Sequence, residues 1–584
     1  MAKKKLEYFK VHNIVSLKDM INQSAERYTD CNAFTIKDSN GDFFGITFKQ
    51  LQDKMNALGT ALLDLDLNNS FVSVLSENRF EWCLTYLSVT NGVGIIVPLD
   101  KELPANEITS LLNRSGSQAI VTSSHYLDTI IKIKGSVPSL KYIICMDPVD
   151  NEDICLSFSK LLEKGAELIK NGDRRYINAD IDPDVMNMLI FTSGTTDKSK
   201  GVMLSHKNIC HDIMAVSQLI YADTNDSILS ILPLHHTYEC TAGFLTMMYL
   251  GVSMSFCEGL RHIPKNLQEY KPTLMMSVPL ILESLYSKII KKARKEHRYR
   301  KFKTGLLIAS ILNKLGIDIR RTLFKEVHDN LGGNLRIVIS GAAALNPKIS
   351  KALRSMGFNL LQGYGLTECS PIVTVNRTEV YNDKSVGLPL AGVDIKIVDP
   401  GHDGIGEVLV RGNNIMLGYY GNQEATDEVL KNGCLYTGDY GRIDKKGFLY
   451  ITGRKKNVIV TKNGKNIYPE DIEIYLNRSE YIKESLVYGV DNDEEEETIV
   501  CAQIVPDIEF ITDEIGKAPS KEELMKIVQA EVKKVNKKLT GYKKIKHFDI
   551  REEEFDKTTT KKIKRYVELL SLNISNLASK LKIK

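Results

Sequence analysis

A chain of 584 residues is longer than one ordinary hydrophobic core can fill, so several subdomains are expected. An apolar fraction of 43% and a charged fraction of 26% are those of a globular protein in water, and a net charge of +4 over this length is too small to point to nucleic acid. The ten cysteines are singletons without C-x-x-C or metal-type spacing, which suits reduced thiols in a cytoplasmic protein rather than a disulfide framework. The opening MAKKKLEYFK carries charge but no apolar core, so no signal peptide is expected, and no apolar run approaches the roughly 18–20 residues of a membrane span.

From about Gly45 to Ser124 helical and strand patterns alternate. GITFKQLQDKMNALGTALLDL predicts an amphipathic helix, SFVSVLS a strand, EWCLTYLSVTNGVGIIVPLD a buried helix and strand, and EITSLLNRSG with SQAIVTSS repeats the pair. This is α/β layering on a largely parallel sheet.

Next comes FTSGTTDKSKGVMLSH, Phe191 to His206, with six hydroxyl side chains, two glycines and two lysines. It does not fit G-x-x-x-x-G-K-[ST], because Gly194 and Gly201 are too far apart and Val202 follows the second. An apolar run precedes it (Val185 to Ile190) and a short strand, Val202 to Leu204, follows. Ser205 and Asn208 then cap a helix whose apolar face is Ile209, Ile213, Val216 and Ile220. A loop between two strands can still wrap a polyphosphate with hydroxyls and N–H groups while lysines neutralise it; a polar surface hairpin is the other reading.

A second alternating block runs from Asp226 to Val373. Within it, KIIKKARKEHRYRKFK (Lys288 to Lys303) is basic almost throughout and is followed by the apolar TGLLIASILNKLG. Such a segment, 288–315, can lie on an anionic membrane surface; a solvated helix pair is the alternative. From Gly387 to Tyr420 short strands with turns predict a small barrel. Beyond Arg454 the elements become short and strongly charged, which sets the expected boundary: residues 1–453, then 454–584. The expected fold class is therefore α/β: a large N-terminal domain of two layered α/β subdomains plus a small β-barrel, followed by a small α+β C-terminal domain.

Three further stretches belong with the hydroxyl-rich loop: GYGLTECSP (Gly363 to Pro371), YTGDYGRIDKKGFLYITGRKKN (Tyr436 to Asn457) and KTTTKKIKR (Lys557 to Arg565). Together, and in this order, they resemble the adenylate-forming superfamily of acyl-CoA synthetases, firefly-type luciferases and peptide-synthetase adenylation domains. Members join a carboxylate to the α-phosphate of ATP, expel pyrophosphate, and pass the acyl group to a thiol. The first step brings a carboxylate against a polyanion, so cations and fixed donors must offset the repulsion.

The resemblance implies a role for each matched residue. Thr192, Ser193, Gly194, Thr195, Thr196 and Lys200 would hold the β- and γ-phosphates. Tyr364 would lie on the adenine face beside Gly365, with Gly341 and Ala342 of SGAAA lining the base pocket. Thr367 and Glu368 would face the α-phosphate, with Glu368 and Thr192 at Mg²⁺, a hard cation that prefers oxygen ligands. Asp439, helped by Arg454, would accept from the ribose hydroxyls. Lys562 would bridge the substrate carboxylate and the α-phosphate, although Lys561 stands where the family has Gly, leaving the register of that lysine open. At ~4 Å and an effective dielectric near 20, such an attraction is roughly 4 kcal/mol. His236, beside His235, matches a histidine near the acyl carbonyl. Lys456 falls on the hinge of a mobile C-terminal lid, and Gly464 on the tunnel for the pantetheine of CoA.

The loop departs from the family's S-G-T-T-G-x-P-K-G at Asp197, in place of Gly, and Ser199, in place of Pro. The long basic-apolar connection, LPLHHTYE and VPLDKELPANEITSLL look like the long-chain fatty acyl-CoA synthetases. The expected substrates are a fatty acid, ATP and CoA. An acyl carrier protein is the alternative acceptor, and a non-catalytic acyl-nucleotide binder the alternative function.

Overall fold

The computed structural model describes residues 8–38, 40–149, 154–192, 199–461, 466–492, 497–557 and 563–570. They fall into two compact units, one of residues up to 394 with 410–435, the other of residues 395–409 with those from 436 onward.

The first unit is built on two large sheets. One has eight strands, with Ser70–Leu75 at its centre running parallel to Gly94–Pro98 and Ala119–Thr122. The hydroxyl-rich loop joins two strands of this sheet, Met186–Thr192 and Lys200–Ser205, paired antiparallel with Thr192 opposite Lys200. The second sheet has nine strands, in which Ser227–Ser230, Leu274–Ser277, Ile337–Ser340 and Asn359–Gly365 run parallel. Leu274–Ser277, Ile337–Ser340 and Ala119–Thr122 are wholly buried, as parallel strands covered on both faces must be.

The predicted helices form where their patterns lie: Phe48–Asp64, Phe80–Thr90 and Ala105–Ser115. Ser205 caps the helix His206–Ser217 in a reciprocal box. Its hydroxyl accepts from the Asn208 N–H, and the Asn208 amide oxygen accepts from the Ser205 N–H at 3.0 Å. The helix stops at Ser217, so Ile220 lies beyond it, buried in the following segment. The basic-apolar segment forms two helices, Pro279–Lys295 and Tyr299–Lys314. Among the described residues no helix is long and apolar enough to cross a membrane. All ten cysteines are free thiols.

The strands expected from Gly387 onward form a five-stranded sheet that includes Asp394–Val398, Gly406–Arg411, Cys434–Ile443 and Leu449–Arg454. Among the described residues its pairings do not close into a barrel. Most of it belongs to the second unit, which also holds a three-stranded sheet of Ile482–Asn492, Glu497–Pro506 and Ile545–Ile550. Helices Pro469–Leu476 and Lys521–Asn536 supply Ile472, Leu476, Val528 and Val532 to a core with Val487, Ala502 and Ile504. That is the α+β character expected of the C-terminal part.

Candidate active site

Ser193, Gly194, Thr195, Thr196, Asp197 and Lys198 lie outside the described residues, but both feet of their loop are defined. The Thr192 hydroxyl donates to the Lys200 carbonyl at 3.3 Å. The Lys200 ammonium sits 4.6 Å from the centroid of the Tyr419 ring, a cation–π contact. The Tyr419 hydroxyl in turn donates to Glu368 Oε1 at 2.8 Å. One phenol thus touches the loop lysine with its face and the expected metal carboxylate with its edge. Ser199 is held from outside the loop. Arg114, in the last turn of Ala105–Ser115, donates to the Ser199 hydroxyl at 3.0 Å and to its carbonyl at 2.7 Å. Its guanidinium also lies 5.0 Å from the Phe191 ring centroid.

The segment carrying Tyr364 to Glu368 is fixed by its neighbours. Glycines at 363 and 365 suggest an exposed turn, but both belong to the strand Asn359–Gly365, paired antiparallel with Ile372–Val375. Glycine is needed at 365 because a Cβ there would run into the Pro371 carbonyl. A single helical turn, Thr367–Cys369, follows, and the Thr367 hydroxyl lies 3.3 Å from that of Thr237. Helix His206–Ser217, which starts directly after the strand Lys200–Ser205, anchors this segment: Asp212 accepts the Ile372 N–H at 2.7 Å. Asp212 is fully buried, and burial pushes its carboxyl up to about 7. From the same helix Asn208 donates to the Asn413 and Ile415 carbonyls at 2.7 and 2.9 Å, and Asn414 donates to the Ile372 carbonyl at 2.9 Å. The backbone around Glu368 is therefore tied to the helix that continues from the loop.

Gly341 and Ala342 form a tight turn after the strand Ile337–Ser340. Ala342 has φ of 69°, a left-handed conformation uncommon for a residue with a Cβ. A Cβ on Gly341 would meet the Tyr238 ring, whose hydroxyl donates to the Ile339 carbonyl at 3.1 Å. His236 is half-buried, its ring 4.1 Å from that of His235, while His235 Nε2 lies 3.5 Å from Asp100 Oδ2. Next along the chain, Glu239 is fully buried, accepts from the Ser230 hydroxyl at 2.7 Å, and is pushed by burial up to about 8.

In the second unit Asp439 and Arg454 are directly opposite on paired strands, and Arg454 Nε lies 2.7 Å from the Asp439 carboxylate. The Asp439 N–H donates to the Thr437 hydroxyl at 3.1 Å, and that hydroxyl donates to the Val408 carbonyl at 2.8 Å. Lys456 is exposed in the single turn Lys455–Asn457. Gly464, Lys561 and Lys562 lie outside the described residues. The flanks of Lys562 are defined: Lys557 and Ile563 form an antiparallel bridge, and Lys557 pairs with Glu484 and, at 2.6 Å, with Glu554. Arg565 donates to Glu473 at 2.5 Å and to the Val487 carbonyl at 2.6 Å.

Among the described residues no cluster of three or more His, Cys, Asp or Glu could cage a metal. The oxygen donors of Glu368 and Thr192 fit Mg²⁺ of the kind held by one or two protein oxygens with phosphate oxygens completing the shell. Of the expected residues, the first unit carries Thr192, Lys200, His236, Gly341, Ala342, Tyr364, Gly365, Thr367 and Glu368, and the second carries Asp439, Arg454 and Lys456. Sequence reasoning missed Tyr419, Arg114, Asp212 and Arg565. Each acts through a partner distant in sequence, and Tyr419 and Glu368 are 51 residues apart with no motif linking them.

The profile of the AMP-binding enzyme family matches residues 21–420. Mouse long-chain-fatty-acid--CoA ligase 5 is 30% identical over 562 residues, covering 88% of this chain and 80% of its own. The chloroplastic long-chain-fatty-acid--[acyl-carrier-protein] ligase AEE15 of Arabidopsis thaliana is 27% identical over 587 residues, 88% of this chain and 79% of its own. The crystal structure of the anthranilate CoA ligase AuaEII with anthranoyl-AMP superposes with a TM-score of 0.76 at 19% identity, covering 99% of this chain and all of that one. The chain belongs to the AMP-binding enzyme family and is an adenylate-forming acyl ligase.

Proposed function

We propose that this protein activates a long-chain fatty acid as its acyl-adenylate and transfers the acyl group to CoA, releasing AMP and pyrophosphate. The observation that carries the reading is the bridge through Tyr419, which sets a loop cation and a carboxylate around one ring, as a magnesium nucleotide requires. The names of the relatives in mouse and Arabidopsis support the acid.

The residues divide the work as follows. Thr192, Ser193, Gly194, Thr195, Thr196 and Lys200 hold the terminal phosphates, and Tyr364, Gly365, Gly341 and Ala342 hold the base. Asp439, with Arg454, accepts from the ribose hydroxyls. Glu368 and Thr192 hold Mg²⁺, which supplies charge neutralisation across the phosphates when bound. A carboxylate oxygen of the acid attacks the α-phosphorus, the bond to the pyrophosphate oxygen breaks, and Lys562 offsets the repulsion between the two anions. Thr367 donates at the α-phosphate, and His236 stands by the acyl carbonyl. Residues 454–584 then turn about Lys456, bringing Gly464 to the pantetheine arm, whose thiolate attacks the carbonyl and expels AMP.

A carrier-protein thiol is the second reading for the acceptor, favoured by the name of the Arabidopsis relative. A cytoplasmic location with peripheral contact to an anionic bilayer through 288–315 completes the proposal. Pyrophosphate release from ATP with acids of graded chain length, followed by thioester formation with CoA or acyl carrier protein, tests both parts. Release with long-chain acids and transfer to CoA are expected. Exclusive use of acetate or an aromatic acid would overturn the substrate, transfer only to the carrier protein would overturn the acceptor, and no release would leave a binder.

A further inference from the structure

We infer that the Tyr299–Lys314 helix is the docking surface, and that it meets an anionic lipid bilayer through an aliphatic stripe rimmed by cations. The helix has two apolar faces. Phe302, Leu306 and Ala309 join the core of the first unit, with the Phe302 ring 5.6 Å from that of Phe324. Leu307, Ile308, Ile311 and Leu315 recur at the same helical spacing on another face and are 62%, 44%, 50% and 71% exposed. The core is thus satisfied without them, and Ile317 and Leu323, at 52% and 46%, extend the exposed apolar surface. Single exposed aliphatics are ordinary on a protein surface, but four recurring on one helical face are not.

Charge selects the occupant. Lys288 to Lys303 contains six lysines and three arginines against one glutamate, Glu296. Nearby acids take up part of this excess: Lys292 pairs with Glu326 at 2.6 Å, and Arg298 approaches Glu296 and Glu326. Arg300, Lys301 and Lys303 mark one end of the stripe and Lys314 the other. A cavity of about 390 Å³ opens beside it, with Arg300 and Lys301 at its polar side and Ile308, Ile319 and Leu323 against its apolar side. Cations at headgroup level above buried aliphatics are what an interfacial helix presents to acidic lipid. A helix of 16 residues is too short to span a bilayer, so it lies in the plane of the interface.

The experiment is flotation of the full chain with phosphatidylcholine vesicles, with and without phosphatidylglycerol. Binding to the phosphatidylglycerol vesicles, weak binding to phosphatidylcholine alone, and loss at high salt are expected. Replacing Arg300→Gln and Lys301→Gln should weaken binding roughly fivefold for each charge removed. Replacing Leu307→Ser, Ile311→Ser and Leu315→Ser together should abolish it. Both variants should release pyrophosphate from ATP and a detergent-solubilised acid as the parent does, since none of these residues belongs to the site. Equal binding to the two vesicle types, or variants that float like the parent, would overturn the assignment. Binding to neither type would also overturn it and point to a protein surface as the cover of the stripe. Acid activation is measured here without vesicles, so failure of membrane docking and failure of the fatty-acid reading are told apart.

Discussion

The Tyr419 hydroxyl donates to Glu368 Oε1 at 2.8 Å while its ring carries the Lys200 ammonium at 4.6 Å. The two contacts separate cleanly by substitution. Tyr419→Phe keeps the ring and loses the hydrogen bond, worth about 1 kcal/mol, so KM for MgATP should rise roughly fivefold with the ring contact intact. Tyr419→Ala removes both contacts and should cost more. Steady-state kinetics at varied ATP and Mg²⁺ check this, and unchanged values for Tyr419→Ala would remove the bridge from the account.

Arg114 clasps Ser199, which stands at the proline of the pattern S-G-T-T-G-x-P-K-G that the loop resembles. A proline fixes its own φ, whereas here two hydrogen bonds from a neighbouring helix hold the foot of the loop. Arg114→Ala should raise KM for ATP several-fold with little change in kcat, and adding Ser199→Pro to that variant should restore it. Asp197→Gly, which removes a negative charge from the expected triphosphate loop, should lower KM for ATP. Unchanged ATP kinetics across the three variants would show that this end of the loop is not tuned in these ways.

Glu239 makes stability depend on pH with a definite sign. Burial raises its carboxyl from 4.5 to about 8, so it stays protonated in the fold over a range where the unfolded chain ionises. Its effect on stability is absent below about 4.5 and grows as a penalty up to about 8, because ionisation then favours the unfolded chain. Asp212, at about 7, acts in the same direction. His206, lowered by burial to about 4 from 6.5, acts oppositely, and its contribution is lost as pH falls from 6.5 through about 4. The alkaline loss of unfolding free energy should be smaller in Glu239→Gln, by on the order of a few kcal/mol at pH 8.5 in denaturant titrations. Parallel pH curves for variant and parent would contradict the assignment.

What could be read from the sequence is what local chemistry encodes. The strand before the hydroxyl-rich loop, the Ser205–Asn208 box and the amphipathic helices follow from period and capping, which neighbouring residues decide. The glycines at 363 and 365 were legible as a constraint but not as its kind, since the close approach at Gly365 is made by Pro371 after the chain has turned back. Arg114, Tyr419 and Asp212 were invisible for the same reason. An arginine at a helix end, a tyrosine in a short strand and an aspartate within a helix look ordinary until the fold brings Ser199, Glu368 and Ile372 to them.

In the proposed reaction Lys562 offsets the repulsion between two anions as the mixed anhydride forms, and three residues further on Arg565 is held by Glu473. The most direct test of that role is pyrophosphate release from ATP and a fatty acid by Lys562→Ala, beside transfer to CoA from supplied acyl-adenylate. Release should fall by about a hundredfold or more while transfer persists, and Lys561→Ala should behave like the parent. Undiminished pyrophosphate release by Lys562→Ala would contradict the account.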